Sequence, residues 1–169
     1  MTTASAPAAA HVFEPNAEQS VVIDAAPDAW LLVVAGPGTG KTQVAAMRLA
    51  HLVRSGLLPG QILVLSFSRS AVATLTRRIA ALSLPDEHVV EDLRHLALRT
   101  FDSWAFRILR QGGAAVPDLL GRQHDENIAA ATSALADESN SVLSERLDGI
   151  RHVIVDEFQD LPGVRAGMV

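Results

Sequence analysis

The residues that most directly indicate chemistry are Gly40, Lys41 and Thr42, which close the stretch WLLVVAGPGTGKT at residues 30–42. An apolar run of this length that ends in glycines predicts a buried strand, and the amphipathic pattern after it predicts a helix. A strand, a glycine-rich loop and a helix with Gly-Lys-Thr at the junction form the phosphate-binding P-loop. The alternative is a glycine-rich loop that only links a strand to a helix.

The loop has the groups that a triphosphate requires. Its glycines let backbone N–H groups approach phosphate closely, and the helix N-terminus adds unpaired N–H groups and the positive end of its dipole. Lys41 is the only lysine of the chain and would reach the β and γ phosphates, while the Thr42 hydroxyl would ligate Mg²⁺. Alanine replaces the first glycine of the strict pattern. The predicted ATP-binding residues of the loop are Ala35, Gly36, Pro37, Gly38, Thr39, Gly40, Lys41 and Thr42.

A pair of carboxylates, Asp156 and Glu157, supplies the second half of a possible phosphate site. They follow the apolar residues of IRHVIVDEFQD at 150–160, which predict a fourth buried strand. Asp156 at the end of that strand would hold Mg²⁺, and Glu157 would take a proton from the attacking water. Two carboxylates after an apolar run could also merely begin a loop. We expect Lys41 and Thr42 to face this pair across a gap that fits one magnesium-bound triphosphate, with ATP and Mg²⁺ as the cofactors.

A short helix is predicted upstream of the P-loop in FEPNAEQSVVIDAA, residues 13–26. Asn16 can cap it, and Val21, Val22 and Ala25 offer an apolar face. The amide of Gln19 could read the donor and acceptor edge of adenine, as glutamine does elsewhere. A glutamine on a helix is more often simply solvated.

The middle of the chain alternates between predicted strands and helices. Residues 62–67 and 96–101 are predicted strands, and residues 68–82 are a predicted helix. Residues 85–92 are predicted to form a polar, acidic loop. A further helix begins at Asp102 and ends at a pair of glycines. Alternating strands and helices predict an α/β fold with a parallel sheet whose phosphate site lies at the carboxyl ends of the strands.

Aromatic and cationic side chains interleave in the region from 99 to 110. This composition suits a platform where bases stack and arginines follow phosphates, but aromatic residues at this spacing more often pack in a core. Sequence alone leaves both interpretations open. The residues concerned are Arg99, Phe101, Trp104, Phe106, Arg107 and Arg110.

The whole-chain composition narrows the class of protein. The 169 residues are 49% hydrophobic, which suits one domain with a buried core, and the absence of cysteine excludes disulfides and thiolate metal sites. The net charge of −5 argues mildly against a nucleic-acid partner. Residues 1–12 are expected to be disordered. No apolar run reaches the length of a membrane span, and the start lacks a signal-peptide pattern, so a cytoplasmic location is expected.

With both halves of the site identified, the sequence resembles the UvrD/Rep/PcrA-like superfamily 1 DNA helicases. The order and spacing of five motifs carry the resemblance, which covers nearly everything from residue 13 to residue 163. These motifs are NAEQ at 16–19 (Q motif), AGPGTGKT at 35–42 (motif I), SFSRSAVATLTRRI at 66–79 (motif Ia), TFDSWAFRILR at 100–110 (motif Ib) and VDEFQD at 155–160 (motif II).

The resemblance implies a P-loop NTPase domain of the RecA-like type over residues 13–169, cut short after the Walker B strand, with a reduced helical insert at about 112–148. It implies a DNA-repair-type helicase that couples ATP hydrolysis to 3′-to-5′ movement on single-stranded DNA. A second RecA-like lobe would complete the ATP site, and no membrane would be involved. The residues that it places near the DNA strand are Phe67, Ser68, Arg69, Thr100 and Phe101.

Asp102 departs from the resemblance, because the family commonly has histidine at this position. A DNA contact there is in doubt, since a carboxylate repels phosphate.

We expect the isolated chain to be the N-terminal part of a longer helicase or a truncated product, one that binds Mg-ATP weakly and does not unwind duplex DNA. Two other functions remain open: a P-loop ATPase without a nucleic-acid partner, and a degenerate remnant without catalysis. The sequence assigns no role to Gln159.

Overall fold

The structure, a computed structural model, describes residues 13–82, 84, 86–137, 139–158 and 163–168. The predicted disordered tail at 1–12 and the end of the DEFQD motif, Gln159 and Asp160, lie outside these residues. Within the described residues, no helix is long and apolar enough to cross a membrane.

The centre of the fold is a parallel sheet of three strands, β1 (Ile62–Ser66), β2 (Ala97–Thr100) and β3 (His152–Asp156). β1 lies in the middle and pairs with both of the others, in the order β2-β1-β3. In this register Ser66 lies beside Thr100 on one side and Asp156 on the other. The carboxyl ends of all three strands therefore meet at one edge, and the predicted α/β fold with a parallel sheet is confirmed.

The helices lie on both faces of the sheet. Most of the predicted helices are present with ends shifted by a residue or two, and α4, α6 and α9 are helices that sequence analysis did not predict. Their bounds are α1 Ala17–Asp24, α2 Lys41–Arg54, α3 Arg69–Ala80, α4 Glu87–Arg94, α5 Phe101–Gln111, α6 Val116–Gly121, α7 His124–Ala136, α8 Ser141–Leu147 and α9 Gly163–Ala166.

Two hydrophobic clusters cover the two faces of β1 because successive strand residues point to opposite sides. Ile62 and Val64 pack with α2, α3 and α4 in one cluster. Leu63 and Leu65 pack with α5, α7 and α8 in the other. Ile154 of β3 packs against the first cluster, so Asp156, two residues later, lies on the face that carries α2.

The predicted loop at 85–92 is wrong, because α4 occupies most of it. Asp86 caps this helix by accepting hydrogen bonds from the backbone N–H groups of His88 and Val89. Val89 and Leu93, four residues apart, bury the same face against the first cluster. The many charged residues of this segment favoured a loop in the sequence analysis, because only two buried apolar residues, one helical turn apart, mark the helix.

The predicted strand at 30–35 is also wrong. Residues 29–36 are in neither helix nor strand, and Trp30, Leu32 and Val34 are 100%, 80% and 88% exposed. A strand needs a neighbour for its backbone N–H and C=O groups. In the described part of the chain, β3 pairs only with β1, so its other edge does not pair with the apolar run.

The predicted apolar face of α1 is only partly correct. Val21 is exposed, and Ile23 is the residue of this helix that the structure buries. Asn16 caps the helix as predicted, by accepting a hydrogen bond from the backbone N–H of Gln19.

Candidate nucleotide site

The glycine-rich loop turns sharply just before α2. Gly38 and Gly40 have φ values of +77° and +88°, a conformation that side chains disfavour. A Cβ atom on Gly40 would also lie 3.4 Å from the amide nitrogen of Gln19. Both positions therefore require glycine, and Gly40 leads directly into the first turn of α2.

Lys41 is held inside its own loop. Its Nζ donates to the carbonyl oxygens of Ala35 and Gly36, each at 3.2 Å. The Thr39 hydroxyl donates to the same Gly36 carbonyl at 2.8 Å. These contacts fold the loop around the ammonium group, and a phosphate would compete with the two carbonyls for it.

Asp156 ends β3 with a side chain that is only 8% exposed. Burial raises the pKa of this carboxyl above its ordinary value, and the charge of Glu157 raises it further, while Lys41 acts in the opposite direction. Glu157 has a φ of +56°, unusual for a residue with a side chain. Such backbone strain persists where the surrounding structure fixes the conformation, and it is common at functional sites.

A cavity of about 360 Å³ joins the two halves of the site. Thr42 from the first turn of α2 lines it together with Asp156 and Glu157 from the end of β3. The structure thus brings together three of the four residues that sequence analysis paired. The positive charge of Lys41 lowers the pKa of Asp156, although the ammonium group itself is hydrogen-bonded to the loop carbonyls.

The start of α3 lines the same cavity with three hydroxyl groups, of which sequence analysis singled out only Ser68, and that one as a DNA contact. Ser68 caps α3 and lies 2.8 Å from Ser70, oxygen to oxygen. Thr74 lies one turn after Ser70 on the same wall. The sequence carried a usable signal, since serine and threonine at a helix start four residues apart share one face.

The cavity residues suit magnesium with a nucleotide better than a resident metal. Among the described residues, no group of three or more histidine, cysteine or acidic side chains could hold a metal ion. Mg²⁺ is commonly bound by one or two carboxylates together with the phosphates of its substrate. A buried carboxylate, a second one beside it and the Thr42 hydroxyl fit that arrangement.

Gln19 contacts the glycine-rich loop through its side-chain amide, and its predicted contact with adenine stays a prediction. Its Oε1 accepts a hydrogen bond from the Asn16 backbone N–H at 2.9 Å, which completes a capping box. Its Nε2 donates to the Thr39 carbonyl at 3.0 Å. The amide therefore links α1 to the P-loop, and adenine would have to replace these partners.

Arg48 is a positioning residue that sequence analysis missed. It is buried in α2, and its guanidinium donates to the carbonyl oxygens of Ile23, Ala25 and Ala26 just after α1. The signal was present, because Arg48 lies four residues after Val44 on the apolar face of α2. A cation at such a position needs buried acceptors.

The residues expected near DNA differ in how far they reach the surface. Phe67 and Arg69 are exposed. Ser68 and Thr100 use their hydroxyls to cap α3 and α5. Phe101 is completely buried in the second cluster, so its ring cannot stack on a base in this structure. The packing interpretation of Phe101 and Trp104 is correct, and the position of Phe101 near a DNA strand stays a prediction.

Comparison with known proteins gives one family. The sequence matches the family described as UvrD/REP helicase N-terminal domain over residues 15–129. It is 38% identical over 106 residues to the ATP-dependent DNA helicase UvrD1 of Mycobacterium tuberculosis, covering 62% of this chain and 13% of that protein. It is 30% identical over 138 residues to the ATP-dependent DNA helicase PcrA of Staphylococcus epidermidis, covering 80% and 17%. It is 36% identical over 96 residues to DNA helicase IV of Escherichia coli, covering 56% and 13%. The matched segments thus cover less than a fifth of the length of each of these relatives.

Proposed function

Since this chain belongs to the UvrD/REP helicase N-terminal domain family, we propose that it forms the Mg-ATP-binding half of a helicase motor that moves 3′ to 5′ on single-stranded DNA. The observation that carries the proposal is the cavity shared by Thr42, Asp156 and Glu157 at the carboxyl ends of the strands. In parallel α/β sheets, ligands bind at this edge.

Each residue around the cavity has a role in this proposal. Lys41 leaves its loop carbonyls to bind the β and γ phosphates, while the glycine-rich loop offers its N–H groups to the same phosphates. The Thr42 hydroxyl and Asp156 would hold Mg²⁺, which would supply positive charge to offset the charge of the phosphates. Glu157 accepts a proton from the attacking water. The place of Glu157 in the lining of the cavity, beside Asp156, supports this role.

The arrangement supports nucleotide binding more directly than hydrolysis. Family members that act on DNA are much longer than this chain, and arginine fingers elsewhere contribute about 10³ to 10⁵ in rate. We propose that a second RecA-like lobe supplies such groups. The isolated chain then binds Mg-ATP weakly and does not separate strands.

Nucleotide binding is tested by titrating the chain with a fluorescent ATP analogue, with and without Mg²⁺. We expect saturable, Mg²⁺-dependent binding that Lys41→Ala weakens roughly 10- to 100-fold, since hydrogen bonds to charged groups contribute about 1.5–3 kcal/mol. Arg54→Met removes an exposed cation at the far end of α2 and should leave the affinity unchanged. Equal binding by the Lys41→Ala variant would overturn the proposed site.

DNA binding is tested separately with fluorescein-labelled oligo(dT) at two salt concentrations. Phosphate contacts predict that the logarithm of affinity falls with the logarithm of salt, with a slope near −0.7 per contact. A chain that binds Mg-ATP but shows no salt-dependent binding of oligo(dT) would be a P-loop ATPase without a nucleic-acid partner. Strand separation by the chain alone would contradict the need for a second lobe.

A further inference from the structure

Arg165 joins three segments that are far apart in sequence. Its Nη1 donates to Asp125 Oδ1 at 2.9 Å, and its Nη2 donates to Asp102 Oδ1 at 3.3 Å. The centre of its guanidinium lies 5.6 Å from the centre of the Phe67 ring. The side chain is only 11% exposed. A planar guanidinium suits such a place because it can bond two carboxylates and lie over an aromatic ring at once.

The partners of Arg165 lie where the DNA strand is proposed to pass. Phe67 follows β1 directly and is partly exposed. Asp102 lies in the first turn of α5, two residues after Thr100, and also contacts His124 Nδ1 at 3.1 Å. Asp102 is 30% exposed, so its charge acts on anything that approaches this edge of the sheet. Without a cation beside it, this carboxylate would repel a phosphate backbone.

We infer that Arg165 is a positioning residue for single-stranded DNA, which neutralises Asp102 and holds the Phe67 ring at the strand. The inference rests on the proposed function. Arg165 is too deeply placed to follow phosphates as a free surface cation, so it acts through Asp102 and Phe67. This pairing also explains how a carboxylate can occupy the start of the TFDSWAFRILR segment without blocking DNA.

A merely structural ion pair would behave differently from a positioning one. Breaking a structural pair from either side should weaken DNA binding in the same direction, because both changes loosen the same packing. In the present inference the two sides have opposite effects. Arg165→Met leaves both Asp102 and Asp125 without their shared arginine, whereas Asp102→Asn removes the repelling charge and leaves the arginine bonded to Asp125.

The experiment measures oligo(dT) affinity by fluorescence anisotropy for the wild-type chain, Arg165→Met, Asp102→Asn and the double variant. We expect Arg165→Met to weaken binding roughly tenfold, which corresponds to about 1.4 kcal/mol. Asp102→Asn should bind at least as tightly as wild type, and the double variant should recover to within a few-fold of it. Arg54→Met removes the same charge from an exposed position on α2 and should change the affinity far less.

Thermal unfolding of the same proteins keeps folding and binding apart. Arg165→Met and Asp102→Asn should both lower the melting temperature, since each breaks the pair, while their effects on DNA affinity differ in sign. A fall in affinity for both variants, or no rescue in the double variant, would overturn the inference and leave the proposed function standing. A wild-type chain that fails to bind oligo(dT) would overturn both.

Discussion

An apolar run precedes each half of the candidate site, but only one of the two runs forms a strand. β3 leads to Asp156 as a strand paired along its length with β1. Residues 30–35 lead to the P-loop with a similar apolar composition, yet they lie exposed and outside the sheet. The difference shows that an apolar sequence can be buried, but that it forms a strand only where a neighbouring strand can pair with its backbone.

The P-loop is therefore held by helices rather than by the sheet. α2 anchors it through the first hydrophobic cluster. Gln19 ties Thr39 to α1, and Arg48 ties the residues just after α1 to α2. The acidic half gains its position from strand pairing, and the loop half gains it from side-chain hydrogen bonds.

The largest expected effect compares the same substitution in the central strand β1 and in the exposed run at 30–35. Leu65→Ala removes a leucine that is almost fully buried in β1 and should cost about 2–5 kcal/mol of unfolding free energy. Leu32→Ala alters an exposed leucine and should change it by no more than about 0.5 kcal/mol. Chemical denaturation of both variants measures the contrast. A similar loss in both would mean that the 30–35 run is buried in solution.

Arg48→Met tests the helix anchor of the loop half. It leaves buried carbonyl groups without their donor, so we expect a loss of about 1–3 kcal/mol in unfolding free energy. Arg54→Met on the same helix is the matched control, with an expected change within about 0.5 kcal/mol. Thermal or denaturant unfolding measures both. Equal effects would show that α1 does not depend on the buried guanidinium.

Gln19→Ala and Asn16→Ala separate the capping of α1 from its link to the loop. Each removes one side of the capping box and should cost about 1 kcal/mol. Only Gln19→Ala also removes the hydrogen bond to the Thr39 carbonyl. Hydrogen exchange of the backbone amides of Gly38, Thr39 and Gly40 should therefore speed up in Gln19→Ala alone. Faster exchange in both variants would place the restraint in the helix rather than in the amide.

The pH dependence of stability tests the acidic half and has the smallest expected effect. Because the pKa of Asp156 is raised in the folded chain, the folded state holds its proton to higher pH than the unfolded state does. The stabilising contribution of the Asp156 carboxyl is fully present below its pKa in the unfolded chain. This contribution is lost as the pH rises through its pKa in the folded chain. Asp156→Asn should thus melt at an increasingly higher temperature than wild type as pH rises above about 4. A difference in melting temperature that stays the same at every pH would show that the titration of Asp156 does not affect stability.

Sequence reasoning found the parts of the fold that local patterns determine. β1, α2, α3 and the cap at Asn16 follow from apolar period and capping chemistry. The motifs also predicted that Thr42 and Asp156 lie at one site, and both line the same cavity, although the strand expected before the P-loop is not formed. The patterns could not show that residues 30–35 lack a pairing partner, since that depends on neighbours distant in sequence. Nor could they place Arg165 beside Asp102, which is a contact across 63 residues.

The single lysine has a chemical consequence for anyone who handles this protein. A chain with one lysine offers amine-acylating reagents a single side chain, and here that amine already bonds two carbonyls of the loop it serves. Intact-mass counting of adducts, apart from the one at the chain's α-amino group, therefore reports on the chemical accessibility of one atom. The rate at which Lys41 is acylated would therefore report whether its amine is held by the P-loop carbonyls or released from them. This measurement needs no engineered residue.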